Sequence, residues 1–479
     1  MKLLVVGGGV SGLAAAHRAV ELARERGRPL ELTLLEGADR LGGTIQTERR
    51  DGFLVECGPD SFLSEKPWAL ALCRRLGAED RLIGTDDRFR RVFVAFRDRL
   101  HPLPDGFQLL APTRLRPLLA SSLFSWPGKL RMAGDLLLPR GGHADESLGA
   151  FVRRRLGREA LERVVQPLVA GIYTADPDEL SLGATMPRFL EMERRERSVI
   201  LALRRAARRA PALHAGTSGA RWSLFVTFAE GMEELIRLLA TRLPPGAVRL
   251  KERAAAVTRD GAGWRVTTEG GAVFTGDVLI LSPEAHQAAR LLRYVDPGLA
   301  HLLEGIPYAS AATVTLAYRR ADIAHPLDGF GFVVPQVERR PIIAATFSSV
   351  KYEGRAPDGC ALLRVFIGGA LNESALEADD AALVETARAQ LGELLGVTGA
   401  PLFIRVARHP RAMPQYHVGH AVRAEAIELA VARHAGLRLA GGAYRGVGIA
   451  DCVRSGETAA EGVLSKGAGA RTEGTRKLG

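Results

Sequence analysis

Three glycines near the start of the chain have the spacing that a dinucleotide-binding turn requires. Gly7, Gly9 and Gly12 form G-x-G-x-x-G between a predicted strand, 2–6, and a predicted helix, 13–26. The first glycine of such a turn allows the tight bend, the second lets backbone approach a pyrophosphate, and the third lets helix and strand pack closely. The helix N-terminus adds free N–H groups and a positive dipole end. The pattern predicts a dinucleotide site, against the alternative of a glycine-rich turn without a ligand.

An acidic residue follows the next predicted strand, as expected for such a site. The strand covers 30–35 and ends at Glu36, whose carboxylate can accept hydrogen bonds from the adenosine ribose hydroxyls. The turn alone does not separate a nicotinamide dinucleotide from FAD. Two further glycine clusters, 42–43 and 441–448, favour FAD. Backbone can contact a long cofactor at the first cluster, and a helix N-terminus can face the flavin ring at the second.

No other catalytic pattern stands out in the sequence. It contains no Ser/His/Asp set, no paired-carboxylate motif and no metal-ligand spacing, so we predict no metal. Cys57, Cys73, Cys360 and Cys452 lie far apart, which predicts reduced thiols in a cytoplasmic protein. Because a flavin can carry the difficult chemistry, the protein would supply binding, orientation and electrostatics. We therefore assign no catalytic side chain.

The bulk composition is that of an ordinary soluble protein with an excess of positive charge. The 479 residues are 47% hydrophobic and 25% charged, and 65 basic against 54 acidic residues give a net charge of +11. This charge would attract an anionic small molecule. The basic residues are spread along the chain without a nucleic-acid-binding motif, so we expect no nucleic-acid partner. We also expect no signal peptide, because the first predicted strand begins directly after Met1. We expect no transmembrane segment, because no apolar run reaches the ~18 residues of a membrane span.

The order of the predicted elements indicates interleaved domains. A strand–turn–helix at 437–465 is typical of a closing element of the N-terminal domain, so the second domain would be inserted between pieces of the first. Strands at 311–318 and 361–367, with a hairpin at 91–104, predict a second sheet, and a proline-interrupted helical segment covers 105–210. The predicted fold class is mixed α/β, with a Rossmann-like FAD-binding domain, a mixed-sheet substrate domain and a helical lobe.

Six longer motifs carry a resemblance to a known family. They are GGGVSGLAAA at 7–16, DRLGGTIQT at 39–47, GPDSFL at 58–63, GIYTADPDELSL at 171–182, MPQYHVGH at 413–420 and AYRGVGIADCV at 443–453. The chain resembles the amine-oxidase-type flavoprotein superfamily and, within it, the porphyrinogen oxidases of haem biosynthesis, most closely their soluble Gram-positive type.

The resemblance implies a reaction. It is the FAD-dependent oxidation of coproporphyrinogen III to coproporphyrin III by hydride transfer to flavin, with O2 as electron acceptor and H2O2 as product. The alternatives are oxidation of protoporphyrinogen IX to protoporphyrin IX, another flavin oxidase acting on amines or a polyene, and a flavin-binding carrier without turnover.

Pattern and resemblance together divide the chain into domains. The FAD-binding domain takes 1–65, 220–295 and 412–466, the substrate domain takes 66–104 and 296–411, the helical lobe takes 105–210, and 467–479 is a disordered tail. The helical lobe touches the bilayer in membrane-bound members of the family, so the resemblance implies that peripheral membrane contact is open to this chain. The oligomeric state is left open.

The resemblance also implies which residues contact FAD. They are Gly7, Gly8, Gly9, Val10, Ser11, Gly12, Glu36, Gly37, Gly43, Thr44, Gly58, Pro59, Asp60, Ser61, Ala254, Ala443, Val447, Gly448 and Ile449. The contact at Ala254 would be made by its backbone, since the family often has valine at this position.

Substrate binding is expected to use cations for the propionates and apolar side chains for the macrocycle. The resemblance implies Lys66 and Arg91 for the first role and Ile172 and Phe366 for the second. Lys66 is also one of only seven lysines in an arginine-rich chain. The alternatives are a solvated lysine, an arginine shifted by one residue from the family's position, and two ordinary core residues.

Two further groups have both a functional and a structural interpretation. Tyr416, His417 and His420 either border the flavin or the pocket, or serve as structural hydrogen-bonding residues. Eight arginines in 188–209 either guide an anionic substrate or lipid, or belong to a solvated helix. The glutamates at 191, 193 and 196 favour the solvated helix, because they pair with the arginines at helical spacing.

Overall fold

The computed structural model describes residues 1–141, 145–214 and 223–465. Its strands are β1 (Lys2–Val6), β2 (Glu31–Leu35), β3 (Thr47–Arg50), β4 (Phe53–Glu56), β5 (Phe62–Leu63), β6 (Leu82–Gly84), β7 (Val92–Phe96), β8 (Arg99–Pro102), β9 (Phe107–Gln108), β10 (Ala111–Pro112), β11 (Phe225–Phe228), β12 (Val248–Arg249), β13 (Ala254–Asp260), β14 (Gly263–Thr268), β15 (Val273–Gly276), β16 (Val278–Leu281), β17 (Tyr308–Arg319), β18 (Gly331–Val333), β19 (Ala344–Phe347), β20 (Cys360–Gly368), β21 (Phe403–Pro414) and β22 (Leu437–Leu439). Its helices are α1 (Val10–Glu25), α2 (Pro67–Arg75), α3 (Leu115–Ala120), α4 (Trp126–Ala133), α5 (Leu148–Arg155), α6 (Arg158–Ala160), α7 (Gln166–Tyr173), α8 (Leu182–Thr185), α9 (Pro187–Glu196), α10 (Val199–His214), α11 (Glu233–Thr241), α12 (Ala285–Leu292), α13 (Pro297–Glu304), α14 (Ser348–Lys351), α15 (Asp380–Leu395), α16 (His420–Ala432) and α17 (Ile449–Ser465).

A parallel sheet holds the N-terminal glycine turn. Its strand order is β12-β2-β1-β16-β22, and β1 lies between β2 and β16. The closing strand β22 pairs in parallel with β16, so the C-terminal part of the chain completes the sheet that the N-terminus begins. Strands β1 and β16 are almost wholly buried, as expected where helices cover both faces of a parallel sheet.

The second sheet is mixed, with the order β21-β17-β20-β19-β18-β7-β8. The predicted hairpin forms β7 and β8, and its turn residues Arg97 and Asp98 have φ of 52° and 57°. Both values suit the turn that matches the twist of a hairpin. Strands β18 and β7 pair in parallel, whereas the other neighbours are antiparallel. Together with the first sheet and the helices between them, this sheet confirms the predicted mixed α/β fold class.

The helical lobe, α3 to α10, has its own core around Phe151, Val165 and Phe189. The interpretation of 188–209 as a solvated charged helix is only partly right: Arg188, Arg194, Arg195, Arg197 and Arg205 are exposed, but the segment is not one helix. The segment breaks between α9 and α10 at Arg197, whose φ is 64°, and Glu193 is buried against arginines of α5. The side chains from 207 to 209 lie outside the described residues.

One helix near the predicted site begins earlier in the structure than the sequence predicts. Helix α1 begins at Val10, three residues before the predicted start at 13, because Gly9 is already an extended N-cap with φ −70° and ψ 178°. The predicted domain boundaries stay predictions, and the predicted tail at 467–479 lies outside the described residues. Within the described part of the chain, no helix is both long and apolar enough to span a membrane.

Candidate cofactor and substrate site

The glycine turn after β1 is as tight as its spacing predicts. Gly7 has a φ of +102°, which favours glycine. A Cβ on Gly12 would overlap the carbonyl oxygen of Gly7, so only glycine lets α1 approach the strand this closely. The hydroxyl of Ser282 donates to the carbonyl oxygens of Val6 and Gly7, both at 3.0 Å, and so fixes the turn from β16.

The second glycine of the motif faces open space. No heavy atom lies within 4 Å of the position that a Cβ of Gly9 would take. The N-terminus of α1 starts there, and its first N–H groups have no carbonyl partner within the helix. Because Gly9 has no side chain to cap them, these N–H groups and the positive end of the helix dipole can bind a phosphate. The residues therefore fit the pyrophosphate of a dinucleotide.

Glu36 has a structural task that the motif did not predict. Its Oε2 accepts the N–H of Gly8 at 2.6 Å, and its Oε1 accepts the N–H of Ala38 at 2.7 Å. The carboxylate thus ties the end of β2 to the glycine turn. An ionised carboxylate has about four lone-pair sites, so two remain for ribose hydroxyls.

The second and third predicted cofactor segments lie directly against this turn. Gly42 donates its N–H to the carbonyl oxygen of Gly8 at 2.8 Å, and the Cβ position of Gly43 is 3.5 Å from Gly9 Cα. A Cβ on Gly58 would overlap the carbonyl oxygen of Thr44. The tertiary fold therefore brings residues 7–12, 42–44 and 58–61 together.

The two remaining predicted cofactor segments, at 254 and 443–449, also lie near the N-terminal glycine turn. The N–H of Glu252 donates to the Glu36 carbonyl oxygen at 2.8 Å, two residues before Ala254. Gly456, in α17, has no room for a Cβ against the carbonyl oxygen of Ser11 in α1. This close helix contact holds the turn at 446–449 beside the first glycine turn.

A largely but not wholly buried ion pair lies behind the 58–61 turn. Lys351 Nζ is 2.9 Å from Asp60 Oδ2, and the hydroxyl of Ser61 donates to Asp60 Oδ1 at 2.7 Å. Burial alone would raise the pKa of Asp60, but the charges of Lys351 and Arg364 outweigh it and lower that pKa to about 2. Lys351 ends α14, directly after β19, and Arg364 lies in β20, so both connect the second sheet to this turn. Lys351 could have been noticed in the sequence by the same rarity of lysine that singled out Lys66.

Lys66 is not a free cation in this structure. Its Nζ is 2.5 Å from Oδ2 of Asp451, a largely buried residue in the first turn of α17. The side chain of Lys66 is 39% exposed, so the ammonium also faces outward. The pair joins the start of α2 to the predicted flavin turn. Its role toward substrate stays a prediction.

The other predicted substrate residues differ in their surroundings. Phe366, Val447 and Tyr173 are partly buried and pack against the same hydrophobic cluster, so the second sheet, the C-terminal turn and α7 share one core. Ile172 lies in α7 and is 46% exposed. Arg91 lies just before β7, is 65% exposed, and pairs with Asp328 at 2.7 Å. The charge of Arg91 therefore faces solvent.

The two histidines of MPQYHVGH have structural partners. His417 Nε2 is 3.2 Å from Oε2 of Glu179, and His420 Nε2 is 3.1 Å from the carbonyl oxygen of Tyr444. Burial lowers the pKa of His420 to about 4, so it is neutral at pH 7. These contacts support the structural interpretation of both histidines.

Comparison with known proteins agrees with this geometry. Residues 10–464 match the family described as flavin containing amine oxidoreductase. The chain is 33% identical over 465 residues to coproporphyrinogen III oxidase of Bacillus subtilis (strain 168), covering 97% of this chain and 98% of the relative. It is 32% identical over 487 residues to protoporphyrinogen oxidase of Bos taurus, covering 96% and 98%. A crystal structure from Exiguobacterium sp. 255-15 matches with a TM-score of 0.85 at 32% identity, covering 97% and 99%.

The glycine turn, the acidic residue after β2 and the C-terminal turn define a dinucleotide-binding oxidoreductase. The chain belongs to the flavin containing amine oxidoreductase family. The predicted flavin cofactor, FAD, and the predicted resemblance to porphyrinogen oxidases are confirmed. Bound FAD accepts and passes on electrons, while the residues around it bind and orient it and exclude water.

Proposed function

We propose that this protein oxidises coproporphyrinogen III to coproporphyrin III in haem biosynthesis. Bound FAD would take a hydride from the porphyrinogen in successive two-electron steps, and O2 would accept the electrons to give H2O2. The observation that carries the proposal is the 33% identity over 97% of the chain to a relative named coproporphyrinogen III oxidase. The partly buried apolar side chains Phe366, Val447 and Tyr173 support it, because they pack against one hydrophobic cluster that includes the C-terminal turn, and a tetrapyrrole ring needs apolar surface.

The chain's own residues would bind and orient the substrate. Lys66 lies at the edge of the predicted flavin turn with part of its ammonium exposed, where it can bind a propionate. The net charge of +11 would favour the approach of an anionic porphyrinogen. We also propose that the protein acts in the cytoplasm, where thiols such as the free Cys57 and Cys73 stay reduced.

A second candidate is the oxidation of protoporphyrinogen IX. The identity of 32% to the bovine protoporphyrinogen oxidase favours it nearly as much. The two substrates differ at two side chains, which are propionates in coproporphyrinogen and vinyls in protoporphyrinogen. A pocket that offers cations to these positions would prefer coproporphyrinogen. A third candidate is the oxidation of an amine, after the name of the family.

An anaerobic titration of the holoenzyme with each porphyrinogen tests the proposal. Bleaching of the flavin absorbance at lower concentration by coproporphyrinogen III than by protoporphyrinogen IX is the expected result. A clear preference for protoporphyrinogen IX would assign the second activity instead. Bleaching by amines but by neither porphyrinogen would assign the third, and a flavin that none of them reduces would indicate a carrier. Readmission of O2 with measurement of H2O2 tests the electron acceptor.

A further inference from the structure

The hydroxyl of Tyr416 joins the two sides of the C-terminal turn. It donates to the carbonyl oxygen of Gly442 at 2.6 Å and accepts the N–H of Gly446 at 2.7 Å. Gly446 has a φ of +150°, and a Cβ there would clash with the carboxylate of Asp451. The loop between these glycines contains no helix or strand. The Tyr416 hydroxyl therefore links the two ends of a loop that has no helix or strand to hold it.

Tyr416 is itself held firmly. Its ring stacks on that of His420, with centroids 3.9 Å apart and planes at 10°, and only 2% of the residue is exposed. The Tyr416 carbonyl oxygen accepts the N–H of Ser181 at 2.7 Å, which fixes it to the helical lobe. Burial raises the pKa of Tyr416, so the hydroxyl keeps the proton that it donates to Gly442. The neutral His420 completes the stack without adding a charge.

We propose that Tyr416 is a positioning residue for the flavin. By closing the loop at 442–446, its hydroxyl sets the direction of the backbone at 447–449, immediately before α17 packs against α1. The proposal rests on the proposed contacts of Ala443 and residues 447–449 with FAD. It does not depend on which substrate the enzyme oxidises. Loss of the hydroxyl leaves the loop free to take other conformations, so FAD must then order it upon binding.

The variant Tyr416→Phe tests this, with Tyr444→Phe as its matched control. Tyr444 lies in the same loop, and its buried hydroxyl has no hydrogen-bond partner among the described residues. Each apoprotein is titrated with FAD. Since two hydrogen bonds are lost, the Kd for FAD should rise about tenfold in Tyr416→Phe and stay within about twofold of the wild type in Tyr444→Phe. An unchanged Kd in Tyr416→Phe, or an equal rise in both variants, would overturn the proposal.

Thermal unfolding with and without FAD separates positioning from general stabilisation. A positioning role predicts that the rise in Tm caused by FAD is smaller in Tyr416→Phe than in the wild type. A merely structural role would lower both midpoints equally and leave the FAD-induced rise unchanged, which would also overturn the proposal. These measurements use no porphyrinogen. A wild type that binds FAD but is bleached by neither porphyrinogen would refute the proposed function alone.

Hydrogen exchange in the wild-type holoenzyme gives a test that needs no variant to fold. The amide of Gly446 should be protected by its bond to the Tyr416 hydroxyl. Exchange of that amide at the rate of an unstructured peptide would contradict the proposed closure of the loop.

Discussion

Two buried ionic clusters in this protein differ in how completely their polar atoms are bonded. In the helical lobe, Arg155 Nε donates to Asp135 Oδ1 at 2.6 Å, and its other nitrogens reach the carbonyl oxygens of Pro139 and Arg197. The other carboxylate oxygen of Asp135, Oδ2, accepts hydrogen bonds from the Ser198 hydroxyl and the Ile200 N–H. Asp135 and Arg155 are wholly buried, so this pair, which we call the lobe cluster, is sealed as well as satisfied. Its neighbour Arg154, joined to it through Glu193, has one buried nitrogen, Nε, without a partner among the described residues.

The cluster behind the 58–61 turn is only partly satisfied. Asp60 is bonded to Lys351 and Ser61, but Arg364 Nε and the Tyr352 hydroxyl have no hydrogen-bond partner among the described residues. Asp60, Tyr352 and Arg364 line a small cavity. Buried donors without partners cost free energy. The lobe cluster therefore fastens helices together, and we propose that the turn cluster belongs to the flavin site.

The largest effect should come from breaking the lobe cluster. Arg155→Met leaves the carboxylate of Asp135 buried without its counter-ion, and we expect the free energy of unfolding to fall by about 3–5 kcal/mol. Urea unfolding of the holoenzyme measures this. The FAD Kd of the folded fraction should stay at its wild-type value. A loss below about 1 kcal/mol would show that the two clusters do not differ in the way proposed.

Breaking the turn cluster should change cofactor binding as well as stability. Asp60→Asn removes the charge that balances Lys351 and Arg364, and we expect a loss of about 2–4 kcal/mol, since Asp60 is partly exposed. Unlike Arg155→Met, it should also raise the FAD Kd severalfold. Titration of the Asp60→Asn and Arg155→Met apoproteins with FAD measures the two Kd values. Equal Kd values would remove Asp60 from the proposed cofactor site.

Glu56, which lines the same cavity as Asp60, should make stability depend on pH. Burial raises the pKa of Glu56 from 4.5 to about 7, although the N–H of Met232 and the Thr47 hydroxyl oppose this. The folded state therefore binds a proton more readily than the unfolded state, so this group's contribution to stability is lost as pH rises from about 5 through 7. We expect wild type to lose about 2–3 kcal/mol relative to Glu56→Gln between pH 5 and 8. A difference between the two proteins that is constant with pH would contradict the raised pKa.

The smallest effect on stability should come from an ion pair whose cation is 39% exposed. Lys66→Ala breaks the contact with Asp451, and we expect a loss of less than about 1 kcal/mol. The apparent KM for coproporphyrinogen III should nevertheless rise about three- to tenfold with FAD content unchanged, because a charge-assisted bond to a propionate is lost. Lys2→Ala is the control, since Lys2 pairs with Glu31 on the surface. An unchanged KM would remove Lys66 from the substrate site.

Sequence reasoning succeeded where the physics is local. The glycine turn, its flanking strand and helix and the hairpin at Arg97 and Asp98 were predictable, because backbone conformation and periodicity are written in neighbouring residues. It was only partly right over 188–209, because a helical spacing of Glu and Arg cannot show that Glu193 turns inward to bond Arg154 and Arg155. The proposed substrate role of Lys66 could not be weighed against its pairing with Asp451, which lies 385 positions away in the chain.

A dinucleotide site was predictable from residues 7–12 alone. Gly7, Gly9 and Gly12 indicate it through local steric limits, which any chain with that spacing between a strand and a helix must obey. The later glycine clusters then favoured FAD, and the order of the predicted strands and helices favoured a mixed α/β fold. The surroundings of the 58–61 turn, in contrast, depend on the tertiary structure. Asp60 meets Lys351 across 291 positions of sequence, because α14, which follows β19 of the second sheet, brings Lys351 back to the N-terminal part of the chain. Such pairings depend on how the sheets pack, and no local pattern of residues records them.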